Sequence, residues 1–289
     1  MTRLAVLSDI HANLPALEAV AADMAQFSVD QVVVAGDLVN WGPFNREVMD
    51  FVTARRWSMI RGNNELYLLD YLTPRAPEYW KEFTLPPWLR EQLKDWIHYI
   101  GGMPDELQLR FHDAPMIRVL HGYPGNPWRG IFPDTPDEQA RELMAGVGEA
   151  TVIMAHTHIV MDRVVDDWHL LNSGSVGAPL DGDAAAKYMI LDGDAAGWKA
   201  TQRRVEYDYA PVYAEFERQR FIDQVGVTGQ LIIEEFKTSR LRVQPCQIWC
   251  KEMYPGETLT VERMQEFLSS VDPNRYMLPV YREQRSNDG

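Results

Sequence analysis

The sequence predicts an α/β fold, built on one mixed sheet or on two packed sheets. Short, continuous apolar runs recur along the chain, and runs of this length are typical of strands that are buried on both faces. Near the start of the chain these runs alternate with segments of helical spacing, which is the pattern of an α/β domain. Later runs follow one another without a long helix between them, and this favours a mixed sheet or a two-sheet sandwich.

The individual elements follow from the same patterns. Strands are predicted over the apolar runs at 4–7, 31–35, 57–60, 116–120, 151–155, 169–171 and 188–191. The first helix is predicted over 13–27, because its apolar residues share one face and because Asn13 and Pro15 suit a helix start. Further helices are predicted over 44–54, 212–220 and 260–270, each from a single apolar face.

The segment 66–114 differs from its surroundings. It is rich in Trp and Tyr and is interrupted by four prolines, and it predicts a helical insertion over one edge of the sheet. Such an insertion would either fill the core or form a cap that shapes access to a site. The core is predicted to close near 204–208, which gives one domain over 1–230 and a C-terminal extension over 231–289, packed on the core or partly flexible. The polar end, 285–289, is expected to be frayed.

Composition and charge exclude several classes of protein. The chain has 28 Lys plus Arg against 42 Asp plus Glu, a net charge of −14, which argues against nucleic acid or anionic membrane as the main partner. Cys246 and Cys250 are the only cysteines, too few for a disulfide-stapled scaffold or a four-cysteine zinc site. Because no apolar run approaches the roughly 18 residues of a membrane span, a cytoplasmic location is expected.

Metal-binding residue types follow five of the predicted strands. Alternate side chains on extended backbone point to the same side of the strand. The two outer residues of D-x-H, and those of H-T-H, can therefore each coordinate one ion. Mixed nitrogen and oxygen ligands without thiolate suit Mn²⁺, Fe or Zn²⁺. The set is too large for one ion, and two metals that share a carboxylate are the natural count, with a single-metal site as the alternative. The candidate ligands are Asp9, His11, Asp37, Asn63, His121, His156 and His158.

The blocks that contain these residues resemble a known family. SDIHANLPALEAV, AGDLVNWGP, RGNNE, HGYPGNP, AHTH and NSGSVGAP resemble the motifs of calcineurin-like metallophosphoesterases, in the order that the family uses. The resemblance covers about 1–208 and is greatest to bacterial and archaeal predicted phosphodiesterases. It implies a four-layer α-β-β-α sandwich for the domain 1–230, and it covers the insertion 66–114 and the chain after about 230 poorly.

The resemblance also implies a dinuclear site and a reaction. One metal would bind Asp9, His11, Asp37 and His158, and the other would bind Asp37, Asn63, His121 and His156, so that Asp37 bridges them. A hydroxide between the ions would attack phosphorus in line. Mn²⁺ is the first expectation for both positions, with Fe, Zn²⁺, Ni²⁺ or Mg²⁺ as alternatives. The substrate would be a small phosphate ester, and a homodimer is possible.

One residue departs from the family pattern. Many members have His after the metal-binding Asn, and that His would protonate the leaving group, whereas this chain has Asn64, whose amide cannot supply a proton at neutral pH. We therefore expect a phosphodiesterase with weak monoesterase activity. A phosphomonoesterase acting on proteins or nucleotides and a metal-bearing scaffold without turnover are the alternatives.

The predicted roles beyond metal binding rest on few residues. Asp37, Asn63 and Asn64 are the predicted catalytic residues, and Asn64, Arg61 and Asn13 are the candidates for contact with the substrate. For Arg61 a salt bridge is the alternative, and for Asn13 a helix cap. Support of the site by the NSGSVGAP loop is implied by the resemblance.

Overall fold

The computed structural model describes residues 1–282, and within them ten strands form two mixed five-stranded sheets. In chain order the strands are β1 (Thr2–Leu7), β2 (Gln31–Val34), β3 (Ser58–Met59), β4 (Glu106–Leu109), β5 (Ile117–Leu120), β6 (Thr151–Met154), β7 (Val160–Val165), β8 (Trp168–Ser173), β9 (Ala186–Asp194) and β10 (Gly197–Val205). The first sheet has the order β10-β9-β1-β2-β3, and the second has the order β4-β5-β6-β8-β7.

Helices flank the sheets and form most of the C-terminal part. In chain order they are α1 (Leu14–Met24), α2 (Asn45–Ala54), α3 (Asn63–Asp70), α4 (Leu85–Gln92), α5 (Ile97–Gly101), α6 (Asp137–Leu143), α7 (Ala210–Arg218), α8 (Phe221–Val225), α9 (Val227–Thr238), α10 (Val243–Met253) and α11 (Val261–Ser270). Short 3-10 turns occupy Glu78–Glu82, Pro273–Tyr276 and Pro279–Tyr281.

Strand direction decides where the polar strand ends meet. In the first sheet, β1 pairs in parallel with β2, and β2 pairs in parallel with β3. In the second sheet, β5, β6 and β8 run parallel to one another, with β4 and β7 antiparallel at the edges. Parallel neighbours end at the same edge of a sheet, so each sheet delivers several loops to one place.

Burial on both faces of the central strands produces the layers. In β1, Leu4 and Val6 pack with Ile117 and Ile153 of the second sheet, so they lie between the sheets. Their neighbours face the other way, toward α1 and α2. A third cluster packs the outer face of the second sheet against α6. The order of layers is therefore helix, sheet, sheet, helix, which confirms the fold class.

The segment 66–114 is helical only over its first part. After α5 ends at Gly101, β4 joins the second sheet as an edge strand. Its residues alternate between exposed and half-buried, so no continuous apolar run marks it in the sequence. Trp88 and Leu89 of α4 and Ile100 of α5 are buried in the main core, as the core-filling alternative predicts.

The C-terminal part packs against the domain core. The predicted boundary at 230 falls inside α9, and α9, α10 and α11 share a cluster that includes Cys246 and Cys250. Burial raises the pKa of the Cys246 thiol to about 12, as expected of a structural cysteine. Within 1–282, no helix combines the length and the apolar character that a membrane span requires. The predicted frayed end, 285–289, lies outside the described residues.

Candidate metal centre

The loops after β1, β2, β3, β5 and β6 converge at one edge of the sandwich. The backbone N–H of Asp9 donates to Gly36, and the backbone N–H of His11 donates to the carbonyl of Asp37, at 3.1 and 3.0 Å. Several candidate ligands have positive φ, a conformation that Asp, Asn and His tolerate better than most residues and that costs about 1–3 kcal/mol each. They are Asp9, His11, Asp37, His156 and His158. Strained backbone of this kind is characteristic of functional sites.

The first cluster joins the D-x-H pair to the H-T-H motif. Single ligand atoms of Asp9, His11 and His158 all lie within 4.8 Å of one another. The Nε2 atoms of His11 and His158 are 3.1 Å apart, and Nε2 of His158 is 3.5 Å from a carboxylate oxygen of Asp9. Nδ1 of His158 contacts the carbonyl of Ala178, so Nδ1 carries the proton and the lone pair of Nε2 faces the cluster.

The second cluster joins the loops after β2, β3, β5 and β6. Single ligand atoms of Asp37, His121 and His156 lie within 4.8 Å of one another. The Oδ1 atom of Asn63 is 3.0 Å from Nε2 of His121 and 2.8 Å from Nδ1 of His156. Nδ1 of His121 donates to the carbonyl of Ala35, which again leaves the lone pair of Nε2 facing inward.

Asp37 lies between the two clusters. One of its carboxylate oxygens is 3.7 Å from Nε2 of His11 and 3.4 Å from Nε2 of His121. The structure thus brings all seven candidate ligands together, in the two groups that the family resemblance implies. The carboxylate of Asp37 lies near a histidine ring of each group, His11 in the first and His121 in the second.

The donor set fits divalent cations. The lone pair on Nε2 of His121 faces the oxygen atoms of Asn63 and Asp37. Because all of these atoms are electron-rich, the arrangement is stable only when a proton or a metal ion lies between them. Burial lowers the pKa of His121, but the charge of Asp37 outweighs burial and raises this pKa to about 9. Burial lowers the pKa of His11 and of His156 to about 3, which keeps these rings neutral and able to ligate. Among residues 1–282, Nδ1 of His11 is buried without a hydrogen-bond partner.

Asn64 holds the carboxylate of Asp37. Its backbone N–H donates to Oδ1 of Asp37 at 2.8 Å, and its side-chain amide donates to Oδ2 at 2.6 Å. Its own amide oxygen accepts a hydrogen bond from Asn40 at 2.7 Å. Asn64 is only 3% exposed, and in this structure its side-chain amide donates to Asp37 and helps to orient that carboxylate.

Glu65 has a structural role that the sequence interpretation did not assign. Its buried carboxylate accepts four backbone N–H bonds, from Gly62, Asp37, Leu38 and Val39. It thereby ties the loop after β2 to the start of α3. A Glu three residues after a helix-capping position is the signature of a capping box, so the sequence contained a signal for part of this role. Burial and the nearby charge of Asp37 raise the pKa of Glu65 to about 7.

Gly62 permits the close approach of these two loops. A Cβ atom at this position would lie 2.1 Å from Oδ1 of Asp37 and 2.7 Å from its backbone nitrogen. No side chain fits in that space. The glycine of the RGNNE block is therefore required by packing against the carboxylate of Asp37.

Side chains from other parts of the chain support the H-T-H motif and the neighbouring Asp9 loop. Asn172 donates to the Thr157 hydroxyl at 3.1 Å, and Ser175 donates to the carbonyl of Asp9 at 2.7 Å, so the NSGSVGAP loop does brace the site. Tyr281, near the end of the described chain, donates to the carbonyl of Thr157 at 2.7 Å. Nothing in the sequence indicates this last contact, because the two residues are 124 positions apart.

Two predicted substrate contacts have other partners. The Arg61 guanidinium pairs with Asp105 at 2.7 Å and donates to the carbonyl of Gly101 at 3.2 Å, which is the salt-bridge alternative. Asn13 caps α1 through the N–H of Ala16 and donates to the carbonyl of Gly177. Both residues are occupied with structural bonds.

Comparisons with known proteins find a family and similar folds for this chain. A family model described as a calcineurin-like phosphoesterase superfamily domain matches residues 2–196. An uncharacterized protein of Methanocaldococcus jannaschii is 25% identical over 239 residues, which cover 77% of this chain and 95% of that protein. The crystal structure of a metallophosphoesterase from Sphaerobacter thermophilus is 25% identical, with a TM-score of 0.63 over 82% of this chain and 100% of the other. A hypothetical protein from Pyrococcus horikoshii, 22% identical, has the same fold, with a TM-score of 0.68 over 83% of this chain and 98% of the other.

Proposed function

The chain belongs to the calcineurin-like phosphoesterase superfamily, and we therefore propose that it is a phosphoric ester hydrolase that works with two divalent metal ions. The observation that carries the proposal is the pair of buried ligand clusters that meet at Asp37. Such ions, when bound, lower the pKa of coordinated water toward ~7 and stabilise charge on the phosphoryl oxygens.

The protein's own residues would position the ions. Asp9, His11 and His158 would hold one, and Asn63, His121 and His156 would hold the other, with Asp37 shared. The carbonyls of Ala35 and Ala178 fix the tautomers of His121 and His158, so that a lone pair faces each ion position. We propose Mn²⁺ for both positions, with Fe, Zn²⁺, Ni²⁺ and Mg²⁺ as the alternatives to be compared.

We further propose that phosphodiesters are the preferred substrates. Position 64 offers an amide that is bonded to Asp37, so this position supplies no proton to a departing alkoxide. An ester with a stable leaving group needs no such proton. An aryl phosphodiester should therefore be hydrolysed faster than an alkyl phosphomonoester.

The test is a panel of phosphate esters with each metal in turn, together with the variant Asp37→Ala. We expect metal-dependent hydrolysis of bis(p-nitrophenyl) phosphate, its loss in Asp37→Ala, and its retention in the surface control Asp50→Ala. Faster turnover of an alkyl monoester would instead support a phosphomonoesterase. Two bound ions per chain without turnover of any ester would identify a metal-bearing scaffold, and one ion per chain would identify a mononuclear site.

A further inference from the structure

We propose that an aromatic subsite beside the second metal cluster binds a ring carried by one ester group of the substrate, such as a nucleobase. The aromatic subsite consists of Tyr67, Trp80 and Trp128. The proposal rests on the proposed function, because it assigns a substrate class to the same site. It predicts that phosphodiesters bearing a nucleoside bind better than those bearing only alkyl groups.

The three rings form one continuous aromatic surface. Tyr67 meets Trp128 edge to face, with centroids 4.9 Å apart, and lies 4.4 Å from Trp80. The two indoles are 5.5 Å apart. Trp80 is 3% exposed, whereas Trp128 is 37% exposed. The Trp80 indole is therefore buried against the other rings, and the Trp128 indole is partly open to solvent. A held, partly exposed indole is a ready stacking partner for a planar ring.

Both elements that carry this surface also carry the second metal cluster. Tyr67 lies four residues after Asn63 on α3, hence on the same helix face. The backbone of Trp128 lies next to the His156 ring. Two residues later, a Cβ atom on Gly130 would lie 2.2 Å from the Thr157 side chain, so this loop is packed directly against the H-T-H motif. A phosphoryl group at the metals therefore places its ester substituents within the neighbourhood of Trp128.

Charge and chemistry favour an aromatic occupant. The chain carries a net charge of −14, and the three side chains of the subsite are uncharged, so an anionic substrate gains affinity here by stacking and not by ion pairing.

The test compares two ligands that differ only in the base. Adenosine 5′-monophosphate and ribose 5-phosphate are titrated calorimetrically into the metal-loaded full chain. Stacking on an aromatic side chain is worth about 1–3 kcal/mol per base, so we expect the nucleotide to bind roughly 5- to 150-fold tighter. Trp128→Ala should remove this difference and leave the affinity for ribose 5-phosphate unchanged, whereas Trp128→Phe should retain part of it.

A matched control is available on the same insertion. Tyr99 is 47% exposed and packs edge to face on Trp96, outside the aromatic subsite, so Tyr99→Ala should leave both affinities unchanged. Equal affinity of the two ligands for the wild-type chain overturns the proposal. A Trp128→Ala variant that keeps the nucleotide preference also overturns the proposal. A Trp128→Ala variant whose only effect is to dissociate a dimer overturns it as well.

The outcome for the subsite is separable from the outcome for the enzyme. A nucleotide preference that depends on Trp128, without hydrolysis of any ester, would sustain the subsite and reject the phosphoesterase. Hydrolysis that depends on Asp37, without any nucleotide preference, would sustain the phosphoesterase and reject the subsite.

Discussion

At the scale of the residue, contacts from three loops converge on the carboxylate of Asp37. His11 and His121 approach one oxygen, and Asn64 donates to both oxygens. Burial alone would raise its pKa, but the charge and hydrogen bond of His121 and the N–H of Asn64 hold the pKa of Asp37 well below its usual range. The carboxylate therefore remains ionised, as the proposed role of Asp37 as a metal ligand requires.

Replacement of Asn64 tests the role of the missing proton donor. Asn64→His restores a titratable ring beside Asp37. We expect hydrolysis of an alkyl phosphomonoester to rise, within the roughly 10²–10⁴-fold that a positioned general acid contributes, while an aryl phosphodiester changes little. The measurement is kcat/KM for both esters. A fall for both would show that the bond from the amide to Asp37 is the dominant role of this residue.

Replacement of Glu65 tests the clamp behind the site. Glu65→Gln keeps one acceptor oxygen, so two of the four backbone donors would face an NH₂ group. Since each unpaired buried donor costs about 1–3 kcal/mol, we expect a loss of roughly 2 kcal/mol or more in the free energy of unfolding of the metal-free chain. Urea denaturation measures it, and Glu18→Gln on the exposed side of α1 is the control, with an expected change within about 0.5 kcal/mol. Equal stability of both variants would contradict the clamp.

At the scale of the element, Glu235 fastens α9 to the start of α10. One carboxylate oxygen accepts the backbone N–H groups of Arg242 and Val243, at 2.6 and 2.8 Å. The other oxygen is buried without a partner among the described residues. Burial outweighs these hydrogen bonds and raises the pKa of Glu235 to about 7.

This raised pKa predicts a pH dependence of stability. The folded chain keeps the proton of Glu235 up to about pH 7, whereas the unfolded chain loses it near 4.5, so stability falls as the pH rises between these values. The decrease is on the order of 3 kcal/mol. Glu235→Gln should remove that part of the decrease and be the more stable form at pH 8.

Urea denaturation across pH 4–8 measures the effect. Glu234→Gln on the same helix, which loses only a surface bond to Lys237, should keep the wild-type slope. A slope that is the same in Glu235→Gln and in the wild type would show that Glu235 is ionised in the folded chain over the whole range.

At the scale of the whole molecule, the end of the described chain returns to the metal centre. The family model ends at residue 196, yet Tyr281 reaches the H-T-H loop from beyond it. Its ring packs with Leu180, Leu241 and Met277. The C-terminal extension is thus a structural support of the site and not a separate attachment.

Removal of one hydroxyl tests this support. Tyr281→Phe keeps the packing and loses the bond to the carbonyl of Thr157. We expect metal affinity to fall by roughly 10-fold, the lower end of the range for residues that orient metal ligands. Equilibrium metal binding measures it, and Tyr254→Phe, which loses a surface bond to Glu266, is the control. Unchanged affinity in Tyr281→Phe would limit the extension to packing.

The sequence by itself determined the α/β class, the buried strands and the candidate ligands, because these depend on local patterns: apolar runs and the polar residues that follow them. It also placed Asp37 between two metal positions through the family resemblance. Strands with one exposed face, such as β4, lacked such a pattern.

Only the tertiary structure decided which side chains support the ligands and which border the site. Three such contacts join residues that are far apart in the chain. Tyr281 bonds to Thr157 over 124 positions, and Asn64 bonds to Asp37 over 27 positions. The edge-to-face contact of Tyr67 with Trp128 spans 61 positions. No local pattern encodes such pairs, because loop directions at the sheet edge and the packing of the insertion and extension bring them together. The sequence thus specifies the residue types of the candidate metal centre, and folding specifies its surroundings.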